Sequence, residues 1–368
     1  GSEALDGKWS EWDHPVLPHW DKEERPKFDY GRVYSPPDEI ASVYYPSRGP
    51  YSSMNLSVVR EQMLEIKEAG VDVVVFSWWK LPASSDGARG WGVKDSTDAA
   101  APLVLEAAAE AGIKVCFHLE PYKGRGVSDV REDIGYINSK YGHHRAFFYA
   151  DKLPLFYVYD SYQLPLEDWR ALLHPNGSLT VRGSELDGLF LGLYLQRGHE
   201  RFATEGGFDG LYSYFASSGF SDGSRPSEWR RLSAWGRSVG KIFCPCVGPG
   251  YDDSRIRPWN AASWRYRAMG RYYEDMWRGA EEAGGVQLVA ITSYNEWGEG
   301  TQIEPAASSP ARASMYQTYG GNEKLFIELT RSLASRWRKA IAKEEEEEKV
   351  VLRKAVMLEV SRLHSLIQ

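Results

Sequence analysis

Seven short apolar runs recur along the chain, separated by longer segments of helical periodicity. The runs lie at residues 71–78, 114–119, 155–159, 189–194, 210–214, 241–247 and 288–294. Their apolar residues are continuous rather than alternating, which is typical of parallel strands covered on both faces. Candidate helices lie at residues 56–69, 99–111, 127–141, 166–173, 227–239 and 264–283. This rhythm predicts an α/β fold, and a (β/α)8 TIM-type barrel of about 250 residues fits its size best.

Seven runs are one fewer than the eight strands of such a barrel. Residues 40–45 could supply the missing strand, but Pro46 follows them and Pro36 and Pro37 precede them, which also suits a loop. In that case the barrel would lack its first strand in this sequence. We assign residues 1–335 to a catalytic barrel and residues 336–368 to a charged helical tail. The tail is either a packing helix or a helix that binds a partner.

Composition excludes several classes of function. Asp and Glu number 51 against 44 Lys and Arg, so the net charge of −7 gives no electrostatic footprint for a nucleic acid. The three cysteines lie in apolar runs without metal-binding spacing, and no phosphate- or dinucleotide-binding glycine motif follows a strand. We therefore expect no metal, no cofactor and no membrane span, and we expect a monomer. The 14 Trp and 22 Tyr suit either a sugar-stacking surface or an aromatic core.

Carboxylates and aromatic residues follow the predicted strands at their carboxyl ends, where parallel barrels build their active sites. The densest group, Asn295-Glu296-Trp297-Gly298-Glu299, follows the last run. Glycosidic cleavage needs such a carboxylate pair, because one group protonates the departing oxygen while the other acts as base or nucleophile. Glu120, which follows the second run, is a third candidate. The alternatives are a pair of surface glutamates and, for Glu120, a structural carboxylate.

Several segments in the same order resemble glycoside hydrolase family 99, the endo-α-mannosidases and endo-α-mannanases. The resemblance covers about residues 8–335 and is carried by WDHPVLPHW (12–20), YYP (44–46), GPYSS (49–53), SWW (77–79), HLEPY (118–122), FYVYDSY (156–162), VGPGY (247–251), IRPWN (256–260) and NEWGEGTQIE (295–304).

The resemblance implies an endo-acting, retaining hydrolase of internal α-1,2-mannosidic linkages in N-glycans or mannan. In this family the sugar's own 2-hydroxyl is thought to displace the leaving group, which gives a 1,2-anhydro sugar. Glu296 would deprotonate that hydroxyl, and Glu299 would protonate the leaving oxygen and then activate water. The substrate-binding positions that we carry over are Glu120, Trp79, Tyr122, Tyr214, Arg257 and Asn295.

Two positions refine or complicate this interpretation. A Trp at position 79, where animal enzymes of the family carry Tyr, favours unsubstituted mannose chains, and residues 82–97 are expected to contribute to this preference. Gly298 stands where family members often carry His, and the family's first strand, with an active-site Tyr, would precede Gly7. These departures leave a carbohydrate-binding barrel with an impaired site as one alternative. A retaining glycosidase with a covalent carboxylate nucleophile is a separate alternative. By resemblance alone, the location would be the Golgi lumen, the periplasm or the outside of the cell.

Overall fold

The computed structural model describes residues 1–80, 97–309 and 315–365. Each of the seven apolar runs contains strand. Six strands form one parallel sheet in chain order, and a further parallel pair completes the series. The sheet contains β1 (Val73–Trp78), β2 (Lys114–Leu119), β4 (Leu153–Val158), β5 (Leu189–Leu193), β6 (Gly210–Tyr212) and β7 (Ile242–Cys244), and the pair is β8 (Cys246–Val247) with β9 (Ala290–Ile291). A two-residue strand, β3 (Tyr149–Ala150), runs antiparallel to the start of β4.

Helices alternate with these strands. They are α1 (Glu3–Asp6), α2 (Leu56–Glu68), α3 (Ala101–Ala111), α4 (Val127–Tyr141), α5 (Leu166–Leu173), α6 (Glu200–Thr204), α7 (Pro226–Val239), α8 (Arg271–Ala283) and α9 (Leu325–Ser365). Asn55 caps α2 by accepting a hydrogen bond from the Ser57 amide, and Gly112 ends α3 in the left-handed conformation. Parallel strands alternating with helices confirm the predicted α/β barrel.

Alternate residues of the strands divide the core into two layers. Side chains facing inward form a compact interior cluster that includes Cys116, Tyr157, Leu191, Tyr212 and Cys244. Their neighbours along the strands, such as Phe117 and Phe156, belong to the larger cluster that packs against the helices. All three cysteines are buried and unpaired, as their apolar surroundings in the sequence predict.

One open alternative is decided and two sequence predictions need correction at the level of elements. Residues 40–45 form no regular strand and take the loop alternative; two isolated bridges, Tyr44 to Gln317 and Pro46 to Ala306, hold this part of the chain. The predicted run 241–247 is divided at Pro245, which has no amide hydrogen to donate to a ladder. The helix predicted at 264–283 begins only at Arg271, because Met269 and Gly270 both have positive φ angles.

The last helix continues through residue 335 without a break. Phe326, Ile327 and Leu333 of α9 are buried, and Arg338 binds the Gly70 carbonyl and Asp72 next to the start of β1. The division of the chain at residue 335 therefore falls inside one helix and stays a prediction. In the ranges described, no helix combines the length and apolarity needed to cross a membrane. The specificity prediction for residues 82–97 concerns residues of which only Thr97 is described.

Candidate active site

The carboxyl ends of the barrel strands bring the predicted residues together. Tyr214, which follows β6, stacks on His118 of β2 with 5.7 Å between ring centroids, and it packs against Tyr159 at 4.7 Å. Burial and the negative charges of Glu299, Glu120 and Glu296 raise the pKa of the Tyr214 hydroxyl well above its ordinary value. The charges of three carboxylates from two distant parts of the chain therefore act on one tyrosine.

Glu296 and Glu299 share one electrostatic environment in the segment after β9. Glu296 is accessible to solvent, and Glu299 is 22% exposed. Burial among protein atoms and the adjacent charge of Glu299 raise the pKa of Glu296 to about 8. Burial also raises the pKa of Glu299, while the Arg257 guanidinium acts to lower it. Because two close carboxylates cannot both ionise easily, the pair retains one proton near neutral pH.

Arg257 is held in place beside Glu299. Its Nη1 lies 3.2 Å from Glu299 Oε1 and 3.3 Å from Oδ2 of Asp253, which is fully buried. The same Asp253 carboxylate accepts hydrogen bonds from Tyr251 and Asn260, each at 2.9 Å. A buried carboxylate with this many donors fixes the orientation of the guanidinium, and Arg257 in turn fixes Glu299.

A second buried network supports the segment after β9 that carries Glu296 and Glu299. The carboxylate of Glu304, which is fully buried, accepts hydrogen bonds from Tyr51 at 2.6 Å, Trp297 at 2.8 Å and Gln62 at 2.9 Å. Asn295 donates to the Tyr51 hydroxyl at 3.3 Å. Asn295, predicted as a sugar contact, is thus connected through Tyr51 to the interior, and its exposed side chain remains accessible to a ligand.

Hydrogen bonds from neighbouring side chains hold the Glu120 carboxylate in place. It accepts hydrogen bonds from Ser77 at 2.7 Å and from His118 Nδ1 at 2.5 Å, and the other ring nitrogen of His118 lies 2.8 Å from the Tyr212 hydroxyl. The side chain of Glu120 is 10% exposed. Both the structural and the ligand-binding interpretations of Glu120 remain compatible with this geometry, because a carboxylate can accept about four hydrogen bonds.

Trp79 and Tyr122 lie beside Glu120. The Trp79 amide donates to the Thr97 hydroxyl at 2.9 Å, and that hydroxyl donates to the Ser77 carbonyl at 2.8 Å. Tyr122 donates to Asp133 at 2.8 Å, and the Lys80 ammonium lies 5.4 Å from its ring centroid. Trp79 and Tyr122 are both partly exposed and therefore accessible to a ligand.

Sequence reasoning missed the residues that orient the predicted ones. Tyr51, His118, Asp253 and Glu304 each bind a site residue or its support, yet none was singled out. His118, Tyr51 and Glu304 stand inside the family-like segments, which was the available signal, whereas Asp253 lies just beyond such a segment, two residues after Tyr251. Among the residues that the structure describes, no cluster of three or more His, Cys, Asp or Glu could hold a metal ion. Two carboxylates with raised pKa values in one environment are the groups that acid–base chemistry requires.

Comparisons with known proteins identify the family of the chain as a whole. The sequence profile of glycosyl hydrolase family 99 matches residues 1–339. A human glycoprotein endo-alpha-1,2-mannosidase-like protein is 40% identical over 94% of this chain and 75% of its own length. A rat glycoprotein endo-alpha-1,2-mannosidase is 39% identical over 92% of this chain and 73% of its own.

A solved structure supports the same assignment. The GH99 endo-alpha-mannosidase from Bacteroides thetaiotaomicron is 37% identical and superposes with a TM-score of 0.83, over 92% of this chain and 95% of that one. The profile match spans nearly the whole chain. The chain therefore belongs to glycosyl hydrolase family 99 and is a glycoside hydrolase.

Proposed function

We propose that this enzyme is an endo-acting α-mannosidase that cleaves internal α-1,2-mannosidic linkages with retention of configuration. The observation that carries the proposal is the pair Glu296 and Glu299, which share one environment with Arg257 and Tyr214 at the carboxyl ends of the barrel strands. The names of the human and rat relatives support the α-1,2 linkage, and the name of the Bacteroides relative supports an endo-acting α-mannosidase. The substrate is an oligosaccharide or N-glycan, and the enzyme requires no cofactor.

The reaction balances without a covalent enzyme ester. The Glu296 carboxylate takes the proton of the mannose 2-hydroxyl while that oxygen attacks C1, and Glu299 gives its proton to the departing glycosidic oxygen. Water then opens the 1,2-anhydro ring. Glu299 takes a proton from the attacking water, and Glu296 returns its proton to the sugar oxygen. Two inversions at C1 give net retention.

The protonation state of the pair must change before this reaction begins. In the protein alone, the raised pKa of Glu296 and the Arg257 contact with Glu299 favour a proton on Glu296. The proposed roles require the proton on Glu299 instead. A 2-hydroxyl that donates a hydrogen bond to Glu296 stabilises its ionised form, so binding of the substrate supplies the shift.

The two roles are separable by choice of leaving group. Glu299→Gln should lower turnover of an ordinary oligosaccharide by roughly 10²- to 10⁴-fold, because a positioned general acid contributes that much. A substrate with an activated leaving group needs no protonation, so the first step should recover in Glu299→Gln and recover less in Glu296→Gln. The matched control is Glu205→Gln, a surface carboxylate that pairs with Arg201. Unchanged turnover in Glu299→Gln would contradict the assignment.

A covalent carboxylate nucleophile is the competing mechanism on the same pair of residues. A fluorinated mannosyl substrate would leave a stable ester on such a nucleophile, detectable by mass spectrometry of the intact protein. We expect no adduct. A mass increase that maps to Glu296 or Glu299 would replace the anhydro-sugar mechanism.

The proposal for the natural glycan is based on the indole side chain of Trp79. Its position beside the Glu120 network suits stacking of a broad indole face on an unsubstituted mannose, which favours mannan-type chains over glucosylated N-glycans. Trp79→Tyr should raise kcat/KM for a glucosyl-mannose donor relative to a mannosyl-mannose donor. An unchanged ratio would remove this argument. We further propose a monomer that acts in the Golgi lumen, the periplasm or outside the cell.

A further inference from the structure

An exposed cluster of aromatic rings lies outside the residues assigned so far. It consists of His19, Trp20, Phe28 and Trp259, and we call it the aromatic corner. The Trp20 side chain is 71% exposed, which is unusual for so large an apolar ring. Trp20 and Trp259 stand perpendicular, at 89° with 4.7 Å between centroids, and His19 packs against Trp20 at 4.0 Å. The rings support one another while one indole stays open to solvent.

The aromatic corner joins two segments that are distant in sequence. The Leu17 amide donates to the Ile256 carbonyl at 2.8 Å, and the Trp259 indole donates to the Leu17 carbonyl at 3.1 Å. Arg25 donates to the His19 carbonyl at 2.8 Å from the other side. These hydrogen bonds fix the backbone that leads into Trp20, and the exposed ring packs against His19 and Trp259.

The aromatic corner is close along the chain to the candidate active site. Trp259 follows Arg257 by two residues, which is at most about 7 Å of chain. Arg257 contacts Glu299, and the Glu299 carbonyl accepts a hydrogen bond from the Asp252 amide at 2.9 Å. If Glu299 protonates the departing oxygen, the segment that carries Trp259 lies on the leaving-group side of the cleaved bond.

We propose that the aromatic corner is a sugar-binding subsite on the leaving-group side, which stacks a pyranose ring beyond the one next to the cleaved bond. This inference rests on the proposed role of Glu299. The C–H face of a pyranose is apolar and matches an indole face, while its hydroxyls need polar neighbours. Exposed charged residues at 21–23 follow Trp20 and provide that polar border. A single open indole is far smaller than the roughly 1,000 Å² that a specific protein interface requires, so a sugar suits it better than a protein surface.

The test compares two substrates with the same donor sugars. One is an oligomannoside with three mannose residues on the leaving-group side, and the other carries a fluoride leaving group and nothing beyond it. Trp20→Ala should lower kcat/KM for the long substrate by roughly three- to tenfold, the range of one aromatic stacking contact, mainly through KM. It should leave the fluoride substrate unchanged. Trp20→Phe should restore part of the loss.

The control variant is Tyr149→Ala, an exposed aromatic residue of β3 at the start of β4, away from the carboxyl ends of the strands. It should change neither substrate. Equal losses on both substrates in Trp20→Ala, or no loss on the long one, would overturn the subsite. A changed sedimentation coefficient in Trp20→Ala would overturn it in favour of an interface between copies of the chain.

A binding measurement separates failure of the subsite from failure of the proposed function. If the wild-type protein cleaves neither substrate, the proposed function fails. Titration of the oligomannoside into Glu299→Gln, with and without Trp20→Ala, then still tests the aromatic corner. A roughly three- to tenfold weaker Kd with Trp20→Ala supports the subsite, and an equal Kd overturns it.

Discussion

At the scale of single residues, the site separates into side chains that the sequence could predict and side chains that it could not. Glu296 and Glu299 are three positions apart after one strand, so a local pattern was enough to pair them. The contact between Tyr51 and Glu304 joins residues separated by 253 positions, and no local spacing encodes it. A protonation state is equally invisible in sequence, because it depends on burial and on charges brought close only by the fold.

The raised pKa of Glu296 predicts that its carboxyl group lowers the free energy of unfolding at high pH. A carboxyl that holds its proton more tightly when folded stabilises the fold at low pH, and that stability is lost as pH rises from about 4.5 through about 8. Glu296→Gln stays neutral throughout and removes this effect. Its Tm should therefore exceed that of the wild type at pH 8, and the difference should shrink at pH 4.5.

Thermal unfolding at the two pH values checks this expectation. Glu205→Gln serves as the control, since exposed ion pairs are worth less than about 1 kcal/mol. An equal Tm difference at both pH values, or a lower Tm of Glu296→Gln at pH 8, would show that Glu296 is not a strained carboxylate.

At the scale of elements, regular helices were predicted well and irregular segments poorly. The helices at 127–141 and 166–173 have the predicted bounds, because their apolar periodicity is uninterrupted. The segment after β9 has no periodicity. Contacts from elsewhere determine its path, such as the Arg267 guanidinium, which donates to the carbonyls of Gly300 and Gln302, each at 2.8 Å.

Two glycines of this segment provide a matched test of that path. A Cβ on Gly300 would lie 2.7 Å from the Asp252 carbonyl oxygen, and its φ of 61° disfavours any side chain. Gly300→Ala should therefore lower both Tm and kcat, the latter by about tenfold or more, by displacing Glu299. A Cβ on Gly298 would meet only Ile256 and Glu296, at 3.4 and 3.5 Å. Gly298→Ala should keep kcat within about threefold of the wild type.

The two glycine variants also test the departure from the family pattern at position 298. Arg257 contacts the Glu299 carboxylate, and the Glu296 amide donates a hydrogen bond to the Ser293 hydroxyl, so neither contact depends on a side chain at position 298. Normal activity in Gly300→Ala, or lost activity in Gly298→Ala, would show that the segment is positioned by other contacts.

At the scale of the whole molecule, the alternation of strand and helix was enough to predict the barrel. The seven runs and their order are those of the parallel strands, because burial on both faces leaves a continuous apolar signature. The conformation of residues 40–46 could not be predicted from the alternation of strand and helix. Its bridges to Gln317 and Ala306 depend on the far end of the chain and leave no periodic pattern.

The role of the C-terminal part of α9 can be tested by truncation. The buried contacts of its described side chains lie between Phe326 and Ala334, and Glu344 accepts a hydrogen bond from the Gly285 amide at 3.0 Å. A chain that ends after residue 346 should keep its Tm and its activity, whereas one that ends after residue 324 should not fold. A lower Tm or lower activity in the chain that ends after residue 346 would show that residues beyond 346 contribute to the barrel.

The most direct test of the central claim is product analysis of the purified protein on two oligosaccharides. One ends in glucosyl-α-1,3-mannose, and the other is an α-1,3-mannosyl-α-1,2-mannan fragment. The account predicts release of an intact disaccharide with retained configuration, and release of mannobiose at the higher rate. Release of single terminal sugars, inversion at the anomeric carbon, or binding without any product would contradict an endo-acting, retaining mannosidase.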